Sequence, residues 1–151
     1  MKIRIEVDNS ITENEIVIRC KSVDDDISKI EKDIMKMLDS KDPIIFYKDE
    51  TKYYIELEEV LFFETDQNSI TAHTQEDAYK VRYKLYELEE LLPNYFMRIS
   101  KSTILNINNI YSISRNLTSS SIIEFKNTHK KAYVSRLYYK QLNLRLLEGR
   151  K

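Results

Sequence analysis

From residue 44 onward the chain reads as short runs of apolar, aromatic and β-branched side chains, four to six residues each, separated by brief polar stretches. Parallel strands need a crossover of about a dozen residues or more, usually a helix, and almost none of these gaps has room for one. The spacing therefore predicts antiparallel hairpins: 44–48 and 52–57 around Asp49-Glu50-Thr51, 59–64 and 69–74 around Thr65-Asp66-Gln67-Asn68, then a strand over 78–83. Further strands are expected at 95–100, 103–106, 110–115, 121–126 and 131–135. Leu85, Leu88, Leu91 and Leu92 recur at helical spacing before Pro93, which predicts a helix over 85–92. A closing helix is expected over 137–147.

Ahead of this region the periods differ. Residues 2–7 and 15–21 alternate polar with apolar side chains on either side of Asp8-Asn9-Ser10, which predicts a pair of strands. From Asp24 the positions Ile27, Ile30, Ile34, Met37 and Leu38 predict a helix ending near Ser40, with Ser22 and Asp25 as a capping pair and Asp24 to Asp26 at its positive end. The expected class is mainly β, α+β overall. A strand-strand-helix extension over 1–43, serving dimerisation or regulation, precedes an antiparallel β domain over 44–151. No stretch approaches the roughly 18 to 20 apolar residues of a membrane span, and the start lacks the apolar run of a signal peptide. With Cys20 as the one cysteine, no internal disulfide can form. A cytoplasmic protein without membrane insertion is expected.

Charge is distributed unevenly. Residues 1–94 carry 13 Lys and Arg against 23 Asp and Glu, a net of −10, whereas residues 95–151 carry 11 against two, a net of +9. A basic end suits a polyanion, because each phosphate neutralised releases condensed counterions; equally, two halves of one fold can compensate each other. Catalysis finds little support. Gly149 is the single glycine, which excludes Gly-rich phosphate loops and nucleophile elbows. His73 and His129 have no second ligand at metal spacing, and Cys20 falls at an alternating strand position that suits a buried thiol. Glu58-Glu59 and Glu89-Glu90 are sequence neighbours and do not face one point. Neither an enzyme nor a cofactor or metal is expected.

One set of residues is more specific. Phe62-Phe63-Glu64-Thr65-Asp66, then Ala72-His73-Thr74, Lys84 before Leu85, the series Phe96, Arg98, Ser100, Lys101, Ser102 with Asn106 and Ile110, and finally Ser135-Arg136 before a helix follow one another in order. In this order and spacing, over about 44–147, the chain resembles the LytTR DNA-binding family. The family's His-Arg-Ser is Ser100-Lys101-Ser102 here, so an ammonium point charge replaces a planar fork. The 43 residues before Ile44 are too few for a phospho-receiver domain.

The resemblance implies an elongated domain of short antiparallel strands whose loops and strand edges, rather than a recognition helix, enter the major groove of double-stranded DNA. Carried over by position, the contacting segments are the loop Asp66, Gln67, Asn68 and Ser69, the edge Arg98, Ser100, Lys101 and Ser102, and Ser135-Arg136 at the last helix. Lys130, Lys131 and Lys140 add positive charge. Asn68 also suits a plain left-handed turn, Arg98 a structural salt bridge, and Tyr138 and Tyr139 the packing of the last helix. The expected function is a transcriptional regulator, a homodimer on promoter half-sites with a regulatory partner protein; the alternative is a protein-interaction module that has lost DNA binding.

Overall fold

In the computed structural model, residues 1–39, 43–116 and 119–149 are described, and the chain splits into two compact units, Met1–Lys41 and Asp42–Lys151. Among its described residues the first unit holds one helix, α1 (Asp25–Asp39). Asp24, not Ser22, caps it: its Oδ1 accepts the Ile27 N–H at 2.9 Å, satisfying one of the four unpaired donors of the first turn. The expected end at Ser40 lies outside the described residues. Ile27, Ile30 and Ile34 are half-buried, while Met35, Met37 and Leu38 are exposed.

The two N-terminal strands expected at 2–7 and 15–21 do not form. Neither segment pairs as a strand among the described residues, and Ile3, Ile5 and Val7 are 94%, 88% and 88% exposed. Alternation defines a strand only where a sheet or helix receives its apolar face, and an isolated two-stranded hairpin is marginal in water. The turn between them does form, with the Ser10 N–H and hydroxyl both donating to Asp8 Oδ1 at 2.8 and 2.6 Å.

The second unit is built on β1 (Phe46–Lys48), β2 (Thr51–Tyr53), β3 (Phe62–Asp66), β4 (Ser69–His73), β5 (Ala78–Val81), β6 (Phe96–Ser100) and β7 (Thr103–Asn106), which form one sheet in the order β2-β1-β5-β4-β3-β7-β6. Every pair is antiparallel. A second sheet, β10-β9-β8, holds β8 (Ser112–Ser114), β9 (Ser121–Glu124) and β10 (Lys131–Val134). Helices α2 (Leu85–Leu91) and α3 (Arg136–Leu147) complete it. Leu57 and Glu59, expected as the end of one strand and the start of the next, lie instead in a 3-10 turn, Leu57–Glu59.

Successive strand residues point to opposite faces, and β3 and β7 are apolar on both. Phe63 and Ile104 therefore join one core with Phe46, Ile70, Ala72 and Leu88 of α2, while Phe62 and Leu105 join another with Ile99, Ile123, Val134 and Leu142 of α3. The large sheet is thus covered by α2 on one face and by the small sheet with α3 on the other. In β6 a register shift between Arg98 and Ser100 leaves Ile99 without a partner in the β7 ladder. The buried Asn106 is satisfied: its amide donates to the Val60 carbonyl at 3.0 Å and its Oδ1 accepts the Asn108 N–H at 3.0 Å.

His73 stacks on Phe62 with 4.4 Å between ring centroids, and its Nε2 lies 2.7 Å from Glu64 Oε1. Its Nδ1 is buried with no hydrogen-bond partner, which fits a neutral ring carrying its proton on Nε2. Burial lowers its pKa below the usual 6.5, more strongly than the neighbouring Glu64 raises it. With the folded value below the unfolded one, the unfolded chain binds the proton first, so this contribution is complete above about pH 6.5 and is lost as pH falls through the lowered value. Urea melts should show stability falling as pH drops from 6.5, and H73Q should remove that part of the slope; an unchanged slope would exclude His73 as its source.

Candidate nucleic-acid interface

Three segments distant in sequence meet at one end of the large sheet. The first is the β3–β4 turn, where Gln67 and Asn68 both have positive φ, 47° and 69°. Two such residues between paired strands give the turn twist that suits a hairpin. The Ser69 hydroxyl donates to the Asp66 carbonyl at 2.8 Å, and Asp66 lies 3.9 Å from Lys80 Nζ. The second segment, the β6–β7 turn, is fastened to the first by the Thr65 N–H, which donates to the Ser102 carbonyl at 2.9 Å. There the Ser102 N–H donates to Ser100 Oγ at 3.2 Å, leaving Lys101 exposed at the tip. The third is the start of α3. Its Ser135 N–H donates to the carbonyl of the unladdered Ile99 at 2.9 Å, and its carbonyl accepts the Tyr138 and Tyr139 N–H groups at 3.1 Å each. Arg136 and Lys140 follow one helical turn apart, both exposed. Among the described residues Lys101, Arg136 and Lys140 form no ion pair.

Arg98 plays a different part from Lys101. Its Nη1 lies 2.5 Å from Glu89 Oε1, its Nε donates to the Ser100 carbonyl at 2.8 Å, and its Nη2 donates to the Lys101 carbonyl. One planar guanidinium thus ties the β6–β7 turn to α2, the salt-bridge alternative left open by the sequence. Tyr138 and Tyr139 pack against the second core.

Lys130 and Lys131 are not brought to this edge. The Lys126 carbonyl accepts Gln75 Nε2 at 3.2 Å and Lys130 Nζ donates to the Asp77 carbonyl, so the tip of the β9–β10 hairpin lies at the His73–Ala78 end of the sheet. Burial lowers the Lys130 pKa, and Lys131 pairs with Glu124 at 3.5 Å. Three cations that sequence reasoning did not single out as contacts stand at the candidate edge instead: Lys80, Arg82 and Lys84. The signal was their alternation through Tyr79-Lys80-Val81-Arg82-Tyr83-Lys84, which puts the charges on one side of an extended segment.

Asn68 can serve as turn former and as contact, and one substitution separates the roles. Glycine accepts positive φ without a side chain, so N68G should leave stability within about 0.5 kcal/mol while DNA affinity falls roughly tenfold if the amide reaches the groove. Equal affinity of both proteins would reduce Asn68 to its turn role.

The family described as LytTr DNA-binding domain matches residues 50–147. Proteins described as uncharacterized HTH-type transcriptional regulators in Staphylococcus aureus strains NCTC 8325 / PS 47 and COL are each 30% identical over 146 residues, covering 97% of this chain and 98% of theirs. Here, among the described residues, five strands, β6 to β10, separate α2 from α3, so those two helices form no helix-turn-helix. A solved LytTr DNA-binding domain from Bacillus cereus superposes with a TM-score of 0.62 at 23% identity, over 72% of this chain and 99% of that one, a likeness of fold. With more than half of its length matched by the family, this chain belongs to the LytTR DNA-binding domain family.

Proposed function

We propose that the edge formed by the β3–β4 turn, the β6–β7 turn and the start of α3 enters the major groove of promoter DNA, and that the chain regulates transcription in the cytoplasm as a sequence-specific binder. One observation carries the reading: two backbone hydrogen bonds, Thr65 to Ser102 and Ser135 to Ile99, gather three remote segments whose Lys101 and Arg136 are exposed and carry no ion pair among the described residues. Desolvated cations with bonded partners would have little left for phosphate; these two have their charge available. The Met1–Lys41 unit, with its exposed Met35, Met37 and Leu38, is the element we assign to pairing with a second copy on adjacent half-sites, or to a regulatory partner protein. No described helix is long and apolar enough to cross a membrane.

A gel-shift titration against the promoter region of its own gene tests the reading. With about six phosphates contacted, log affinity should fall against log salt with a slope near −5. R136A should weaken specific binding by about 1 to 3 kcal/mol and relax preference at the base pair it reads. Absence of any duplex binding at low salt, or failure of a heparin column to retain the protein, would favour a protein-interaction module instead.

A further inference from the structure

The row of cations along β5 and beyond it is not uniform. Lys80 is engaged by its own sheet, donating to Thr71 Oγ1 at 2.9 Å and Ser69 Oγ at 3.1 Å. The guanidinium of Arg82 lies over the Tyr47 ring, 4.1 Å from its centroid. Lys84 is held only by its backbone: its N–H donates to Glu87 Oε1 at 3.0 Å, which fixes the Cα, while the exposed ammonium has no ion pair among the described residues.

Lys84 does not stand alone. With Lys101 it borders a depression of about 310 Å³, whose rim also includes Asn68, Tyr83, Tyr86 and Arg98. Among the described residues no carboxylate lines it. The charge of Arg98 is matched by Glu89, so two unmatched ammonium groups remain on one concavity. Like charges around one depression repel, and an anion seated between them turns that repulsion into attraction.

We propose that this depression seats one phosphodiester of the DNA backbone, gripped jointly by Lys84 and Lys101. The inference rests on the DNA-binding reading and deepens it: Lys101 anchors the backbone rather than reading a base, and the protein footprint extends past the three expected loops to the residue before α2. Base discrimination then falls to Asn68, Ser102 and Arg136.

The test is a salt titration of wild-type protein, K84Q, K101Q and the double variant on the promoter duplex and on a scrambled duplex. Neither side chain is part of a core, and circular dichroism checks that all four remain folded. Each single change should lower affinity by a similar factor on both duplexes and reduce the salt slope by about 0.9, the contribution of one phosphate. Because both lysines serve the same phosphate, the double variant should lose no more than about one unit of slope. A loss of about two units, an unchanged K84Q slope, or a K101Q effect confined to the promoter duplex would each overturn the shared seat. An amide titration with inorganic phosphate, alone and with duplex present, separates the sources. Shifts around Asn68 and Lys101 that duplex fails to displace would mark a free-anion site and also overturn the proposal. Wild-type protein that binds neither duplex would overturn the DNA-binding reading itself, a result distinct from any of these.

Discussion

L142A is expected to cost about 3 kcal/mol of stability, within the 2 to 5 kcal/mol range of buried leucine truncations. Leu142 is fully buried and is the one buried residue of α3, packed in the core with Ile123 and Val134. Removing it deletes apolar contact and leaves a cavity beneath the helix that carries Arg136 and Lys140. A urea melt should show a lower midpoint with an unchanged slope, and DNA affinity should fall as α3 loosens. The neighbouring L144A, at a site 53% exposed, is the control and should stay within about 0.5 kcal/mol. A loss below 1 kcal/mol in L142A would mean that α3 is not docked as described.

The second large effect is at Arg98. R98A removes the pair with Glu89 and the donors to the Ser100 and Lys101 carbonyls. Hydrogen bonds to charged groups contribute about 1.5 to 3 kcal/mol each when buried, and with the side chain 25% exposed a total near 2 kcal/mol is expected. Affinity for DNA should drop about tenfold or more because the β6–β7 turn that carries Lys101 is no longer held in shape, and the salt slope should fall by no more than the roughly one unit of the Lys101 contact, since Glu89 already matches the Arg98 charge. R98K should recover less than half, as an ammonium cannot span three acceptors in a plane. A slope reduced by about two units in R98A would instead place Arg98 against a phosphate of its own.

Much of the β domain could be read from the sequence because the patterns were local and strong. Consecutive Phe62 and Phe63 announce a strand buried on both faces, and Pro93 and the four leucines bound α2. The Asp66 to Ser69 turn was legible as a turn, although its two positive φ angles follow from strand twist, which letters do not display. What failed were judgements about partners. The alternation at 2–7 and 15–21 was genuine, but nothing receives its apolar side. Lys130 and Lys131 were grouped with Arg136 because all lie in the basic 95–151 stretch. Four residues of β10 separate Lys130 from Ser135, a span of roughly 17 Å along the strand, and hairpin direction decides which end each occupies. Lys84 was hidden by the opposite error, since it sits in the half with a net charge of −10.

The surplus residue in β6 has a consequence for how this domain can drift in length. Because Ile99 is left over from the β7 ladder, its carbonyl is available to Ser135, and the open margin of the sheet is blunted where another chain could otherwise add a strand. Losing that one residue would turn the side chains beyond it through the pleat, sending Lys101 inward and detaching α3 from its anchor, with every other strand intact. A single-codon deletion at its kink is the change this architecture has least means to absorb.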